Sequence, residues 1–167
     1  MTDQAVIRTA EPADLDGLLA LEVAGFDEAS RWSRDSWAAE FAGGDRCVLV
    51  AECRSGGSEP DPAELVGVAT FQLVADVADL HRVVVAPEHR RHGIGRGLIE
   101  AGLAWVEERR GGRVLLEVEH DNAPALALYR WLGFTELARR KDYYGAGRHA
   151  LVMQRTTGTG RDHGMES

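Results

Sequence analysis

Apolar residues along this chain fall into blocks whose spacing alternates between that of strands and that of helices. Residues 5–9 read as a first strand, and Pro12 opens a helix running to about Gly25 on a stripe of Leu15, Leu18, Leu19 and Ala24. A short helix is expected after Ser33. Residues 46–53 and 65–74 alternate as strands do, so they predict a hairpin whose connection, Ser-Gly-Gly-Ser-Glu-Pro-Asp-Pro, reads as a mobile loop. Residues 80–85, ending in Val83, Val84 and Val85 before Pro87, predict a buried strand. Ile94, Leu98, Ala101, Gly102, Trp105 and Val106 then share one helical face, which Gly111-Gly112 ends. A strand over 113–119 follows, then a helix capped by Asn122 with Pro124 in its first turn and Gly133 at its end, then two strands. Residues 156–167 are polar, with no apolar face, and are expected to form a disordered tail.

The resulting order, β-α-α-β-β-β-α-β-α-β-β, predicts an α/β chain with a mixed sheet and helices on its faces. With 167 residues, one domain over 1–155 is expected, large enough for a proper core.

Chemistry concentrates in Arg90-Arg91-His92-Gly93-Ile94-Gly95-Arg96, where a strand feeds a Gly-rich turn that opens a helix. Glycines let the backbone approach a ligand, and the first helical N–H groups together with the positive end of the helix dipole favour an anion. Phosphate is the natural guest. A Gly-rich connection with no ligand is the plain alternative. No Lys-Ser or Lys-Thr follows the glycines, so this is not a P-loop, and their spacing is not the dinucleotide G-x-G-x-x-G. His89 and His92, with His81, lack a cysteine or carboxylate set at ligand spacing, so no metal is expected.

The net charge of −8 argues against direct nucleic-acid binding and suits a cationic partner. Cys47 and Cys53 lie on one face of one strand, too far apart to bridge, and nothing resembles a secretory signal or membrane span. A reduced, cytoplasmic protein is expected.

Arg90, Gly93 and Gly95 match R/Q-x-x-G-x-G/A, which resembles the acetyl-CoA signature of the GCN5-related N-acetyltransferases (GNAT). The element order is also that of their fold. Leu116-Glu117-Val118, then Asn122 with Ala125, then Ala127-Leu128-Tyr129 and Leu132-Gly133-Phe134, resemble the RimI branch, the ribosomal-protein alanine N-acetyltransferases. Trp32-Ser33 and Arg139-Arg140-Lys141-Asp142-Tyr143-Tyr144 are similar to that branch too, so the likeness covers roughly residues 5–155. Glu119 and Asp121 stand where the familiar pattern has arginine and serine, and with Glu117 they are expected to form an acidic wall. The closing segment is also a residue longer than that pattern.

The resemblance implies an acetyl-CoA-dependent transfer to the N-terminal amine of a protein, with small-subunit ribosomal protein eighteen as the usual acceptor. It implies that amides of Arg91, His92, Gly93, Ile94, Gly95 and Arg96 hold the pyrophosphate and that the backbone of Val83, Val84 and Val85 faces the pantetheine arm. Asn122 would touch acetyl-CoA, Glu117 would be the general base and Tyr129 the acid that returns a proton to the thiolate. On the residues alone, Glu117 is equally a carboxylate on a solvated strand face, and Tyr129 shares a stripe with Ala125 and Leu132 as a core aromatic would. Acetylation of a small amine, or an acetyl-CoA-binding or protein-interaction domain without chemistry, are the competing functions. Oligomeric state is not legible.

Overall fold

The structure is a computed structural model that describes residues 5–53 and 64–157. Seven strands form one sheet in the order β1-β2-β3-β4-β5-β7-β6. They are β1 (Ala5–Thr9), β2 (Arg46–Cys53), β3 (Glu64–Val74), β4 (Val77–Val85), β5 (Arg113–Glu119), β6 (Thr135–Gly145) and β7 (Arg148–Thr156). The helices are α1 (Leu15–Gly25), α2 (Arg34–Glu40), α3 (Ile94–Glu108) and α4 (Ala123–Trp131). This is the predicted order of elements.

The residues group into two compact units. The first takes in Met1–Phe71 and Arg82–Gly102. Its β1 runs antiparallel to β2, with Ala5 opposite Cys53 and Thr9 opposite Leu49. Leu18, Leu21, Trp37, Val48, Val50, Val68, Val84 and Ala86 make its core. β2 and β3 are buried along most of their length rather than on alternate residues, so both of their faces are covered. The expected alternation is corrected accordingly. Pro12–Asp14 form a 3-10 turn ahead of α1, and the helix buries Leu18, Leu21 and Glu22, while Ala24 is exposed. The buried face thus includes a carboxylate that lies outside the expected stripe, and leaves out Ala24, which lies in it. Cys47 and Cys53 are buried free thiols. A Cβ on Gly102 would meet the Phe71 ring at 1.9 Å, so α3 lies against β3 at a distance only glycine permits.

The second unit comprises Gln72–His81 and Leu103–Ser167. β4 begins parallel to β5, Val77 opposite Arg113 and Asp79 opposite Leu115, and β5 runs antiparallel to β7. Val114, Leu116 and Val118 are buried on one side of β5. Gly133 ends α4 at φ +95°, a conformation that favours glycine. All of β6 is exposed. β7 continues through Thr156, and Thr157 is buried, its amide donating to Gly112 O at 3.1 Å and its hydroxyl to Gly111 O. Thr156 and Thr157 are therefore not part of the tail expected over 156–167. Residues 158–167 and the connection at 54–63 lie outside the described residues.

Candidate active site

Val83, Val84, Val85 and the 90–96 turn belong to the first unit. Val84 is buried, while Val83 and Val85 are only half-buried, so they are not all the plain core side chains expected. Ala86 N donates to Val66 O at 2.8 Å, anchoring the strand's end. Pro87–His89 form a 3-10 turn, after which Arg91 and Gly93 take positive φ values of 67° and 80°. These two left-handed residues swing the chain into α3, whose first bond runs from Gly97 N to Gly93 O at 3.0 Å. The amides of Ile94, Gly95 and Arg96 lie in the first turn, where no intrahelical carbonyl can reach them. No acidic residue occupies that turn. Its N–H groups and dipole are thus not countered by a carboxylate there.

The arginines around the turn are partly engaged within the chain. Arg90 Nε donates to Val85 O at 3.2 Å, and Arg96 Nε to Glu100 Oε1 at 3.0 Å, whereas Arg91 is exposed. Arg90 thus braces the turn as well as supplying charge. His92 is exposed and His89 half-buried, and no group of three metal-ligating side chains occurs among the described residues.

The same unit holds a charged cluster that sequence reasoning missed. Glu22, 1% exposed, accepts from Arg82 Nε at 2.9 Å and Arg82 Nη2 at 2.5 Å, from Trp37 Nε1 at 3.0 Å and from Trp32 N at 3.1 Å. Arg82 also donates to Ser30 O at 2.7 Å and stacks over Phe26 and Trp32. The α1-to-α2 connection is thereby tied to β4 one residue before Val83. The available signal was an arginine inside an apolar strand.

Glu117, Asn122 and Tyr129 belong to the second unit. Glu117 projects from β5 opposite the buried Val114, Leu116 and Val118 face, with its side chain about a third exposed. Arg140 of β6 donates to its Oε1 at 2.7 Å. Glu119 is likewise paired with Arg148 of β7. Two members of the expected acidic wall are therefore balanced by arginines brought across by strand pairing, and Asp121 is exposed. The wall as expected is corrected.

Asn122 caps α4, its side chain accepting from Ala125 N at 3.3 Å. About two turns on, Tyr129 meets Phe134 edge to face with centroids 5.9 Å apart, and its backbone carbonyl accepts from Phe134 N at 2.9 Å. Burial, and secondarily Tyr144, push its phenol up to about 12. Tyr144, whose ring is only partly covered, is itself pushed up to about 12 by that partial desolvation and then by the negative charge of Glu117. Tyr144 of β6 meets the Tyr143 ring edge to face, with centroids 5.0 Å apart. It was visible only as part of a motif.

The family model described as Acetyltransferase (GNAT) family matches residues 17–134. The ribosomal protein bS18-alanine N-acetyltransferase of Escherichia coli strain K12 is 40% identical over 48% of this chain and 55% of its own length. A mycothiol acetyltransferase of Tsukamurella paurometabola is 36% identical over 84% of this chain and 52% of its own. The chain thus spans about half the length of these two relatives. Among solved structures, the ribosomal-protein-S18-alanine N-acetyltransferase of Escherichia coli superposes with a TM-score of 0.78 at 29% identity, over 92% of this chain and 94% of that one. No helix among the described residues is long and apolar enough to cross a membrane.

Proposed function

This chain belongs to the acetyltransferase (GNAT) family, and we propose that it moves acetyl from acetyl-CoA to the N-terminal amine of a protein, alanine first, with small-subunit ribosomal protein eighteen as the acceptor. In this reading residues 1–155 act as one catalytic domain in the cytoplasm, a span consistent with a family match that runs through both units. The observation that carries it is the turn before α3, where Arg91 and Gly93 take positive φ values and lead into a first helical turn with no acidic residue. The likeness to the Escherichia coli enzymes supports the choice of acceptor.

Acetyl-CoA supplies the acetyl group as a thioester. The turn at 91–96 fits its phosphates, because two left-handed residues and an acid-free helical turn present N–H groups without a competing carboxylate. Arg91 and Arg96 add positive charge, Arg90 holds the turn to Val85, and Asn122 contributes a further polar contact. A backbone amide of Val83, Val84 or Val85 polarises the carbonyl. Glu117 accepts the proton of the acceptor ammonium, directly or through water, leaving nitrogen a lone pair with which to form the new C–N bond. As the C–S bond breaks, Tyr129 donates its phenolic proton to the departing sulfur and is reprotonated, through water, by the proton that the nitrogen sheds once the C–N bond has formed. An N-terminal amine is the easier acceptor, since its neutral form costs about 1 kcal/mol at pH 7 against about 4.6 for a lysine.

A second reading, acetylation of a small amine, is favoured by the relative named for mycothiol. Intact-mass spectrometry of ribosomal proteins from cells with and without the gene separates the two. Loss of one acetyl group from one small-subunit protein supports the first reading. An unchanged set of masses, with turnover of small amines in vitro, supports the second.

A further inference from the structure

The guanidinium of Arg140 sits 2.7 Å from the carboxylate that would receive the acceptor's ammonium, and stacks 4.1 Å over the ring of Tyr143. Its seat is thus a carboxylate beside an aromatic face, a combination that holds organic cations. The bond raises the affinity of Arg140 for its proton, and guanidinium is in any case always charged and a poor nucleophile. It can therefore occupy the place of an acceptor amine without being acetylated itself.

Its strand allows it to leave. All of β6 is exposed, and the pairing of β6 with β7 is irregular between Arg140 and Gly145. Asp142 within that stretch has φ +55°. A guanidinium released from Glu117 keeps the Tyr143 ring as a partner in a segment not locked by a regular ladder.

We propose that Arg140 is a specificity-determining placeholder: it fills the acceptor's cation seat on Glu117, and an acceptor binds by exchanging its N-terminal ammonium for the guanidinium. This rests on Glu117 being the group that meets the acceptor amine. An acceptor without a cation at that point cannot displace Arg140, so the exchange rejects neutral molecules. Because one cation replaces another, the charge at the seat is unchanged by binding, and affinity depends little on salt.

The test is calorimetric binding of an alanine-initiated peptide with a free N-terminus to the full chain, at low and high salt, without acetyl-CoA. Arg140→Gln should tighten binding by about two- to fivefold, the range expected for removing an exposed competing ion pair. That gain should shrink with salt and vanish for the N-acetylated peptide, and Arg140→Lys should return the affinity to that of the parent. A purely structural role for Arg140 gives weaker binding in Arg140→Gln, and unchanged or weaker binding overturns the inference. Glu117→Gln turnover separates the two claims: if that variant is inactive while Arg140→Gln binds as the parent does, only the placeholder fails. If Glu117→Gln is fully active, the role of Glu117 fails and the placeholder with it.

Discussion

The guanidinium of Arg82 spans both carboxylate oxygens of Glu22, at 2.9 and 2.5 Å, in the interior of the first unit. Two further donors, Trp37 Nε1 and Trp32 N, complete the carboxylate's shell. A buried ion pair adds little net stability over an apolar pair of the same volume, but leaving one partner alone is costly. Its structural consequence is to fix where the α1-to-α2 connection lies on β4.

Arg82→Met should therefore destabilise the fold by about 3 kcal/mol, because Glu22 is left buried without its counter-charge. Adding Glu22→Gln removes the charge and keeps one carbonyl oxygen, an acceptor for one of the two N–H groups that now bond to separate carboxylate oxygens. The double variant should be more stable than Arg82→Met alone. Urea unfolding of the four proteins gives the coupling, and simple additivity would show that the two side chains do not depend on each other.

This pair also marks where the sequence stops being legible. Local signals carried the element order, the short helix after Ser33, the Asn122 cap and the start of α3 after Gly93, because each depends on residues within one turn. Glu22 and Arg82 are 60 positions apart, and Glu117 and Arg140 are 23. The first pair is set by how helix α1 packs on β4 and the second by how strands align, and β6 shifts register twice against β7. The acidic wall looked unbalanced in sequence because its counter-ions lie on β6 and β7, which come next to β5 only on folding.

At the turn before α3, Gly93 has φ +80° with open space where a Cβ would go. A valine there is strained by backbone conformation rather than by a clash, which should pull the turn away from its left-handed path. Acetyl-CoA affinity should fall about tenfold or more, equivalent to about 1.4 kcal/mol. Calorimetry that finds Gly93→Val binding as tightly as the parent would put the phosphate site elsewhere.

Glu117→Gln keeps the size of the side chain and its place beside Arg140, but removes proton affinity. kcat/KM should fall by about 10² to 10⁴, with acetyl-CoA affinity nearly constant. Steady-state kinetics at saturating acetyl-CoA reads this directly. Full activity would leave Glu117 as the acidic half of a surface ion pair.

Tyr129 has its phenol pushed up to about 12, mainly by burial. A raised value means that the neutral, proton-bearing form persists to higher pH, so the donor should stay loaded through about pH 10, where an ordinary tyrosine is half ionised. The parent should show no alkaline loss of rate from this group below that point. Tyr129→Phe should lower kcat by about 10² across the whole range while the ring keeps its contact with Phe134. A matching fall in melting temperature would instead assign the hydroxyl a structural hydrogen bond.

The ion pairs on β5 also change what is expected of the acceptor. An unbalanced row of Glu117, Glu119 and Asp121 would reward a basic peptide tail strongly, but Arg140 and Arg148 offset the first two. What remains is a requirement for one cation at Glu117 and a weak, screened attraction to Asp121. Blocking the N-terminus of an alanine-led peptide should therefore abolish turnover. Replacing arginines further along it with glutamines should lower kcat/KM only about twofold, in keeping with the small worth of exposed charge contacts, and added salt should erase that difference. Kinetics on the three peptides decides it: a loss of tenfold or more on neutralising the tail would mean that a basic surface on the acceptor, rather than its N-terminal ammonium alone, governs recognition.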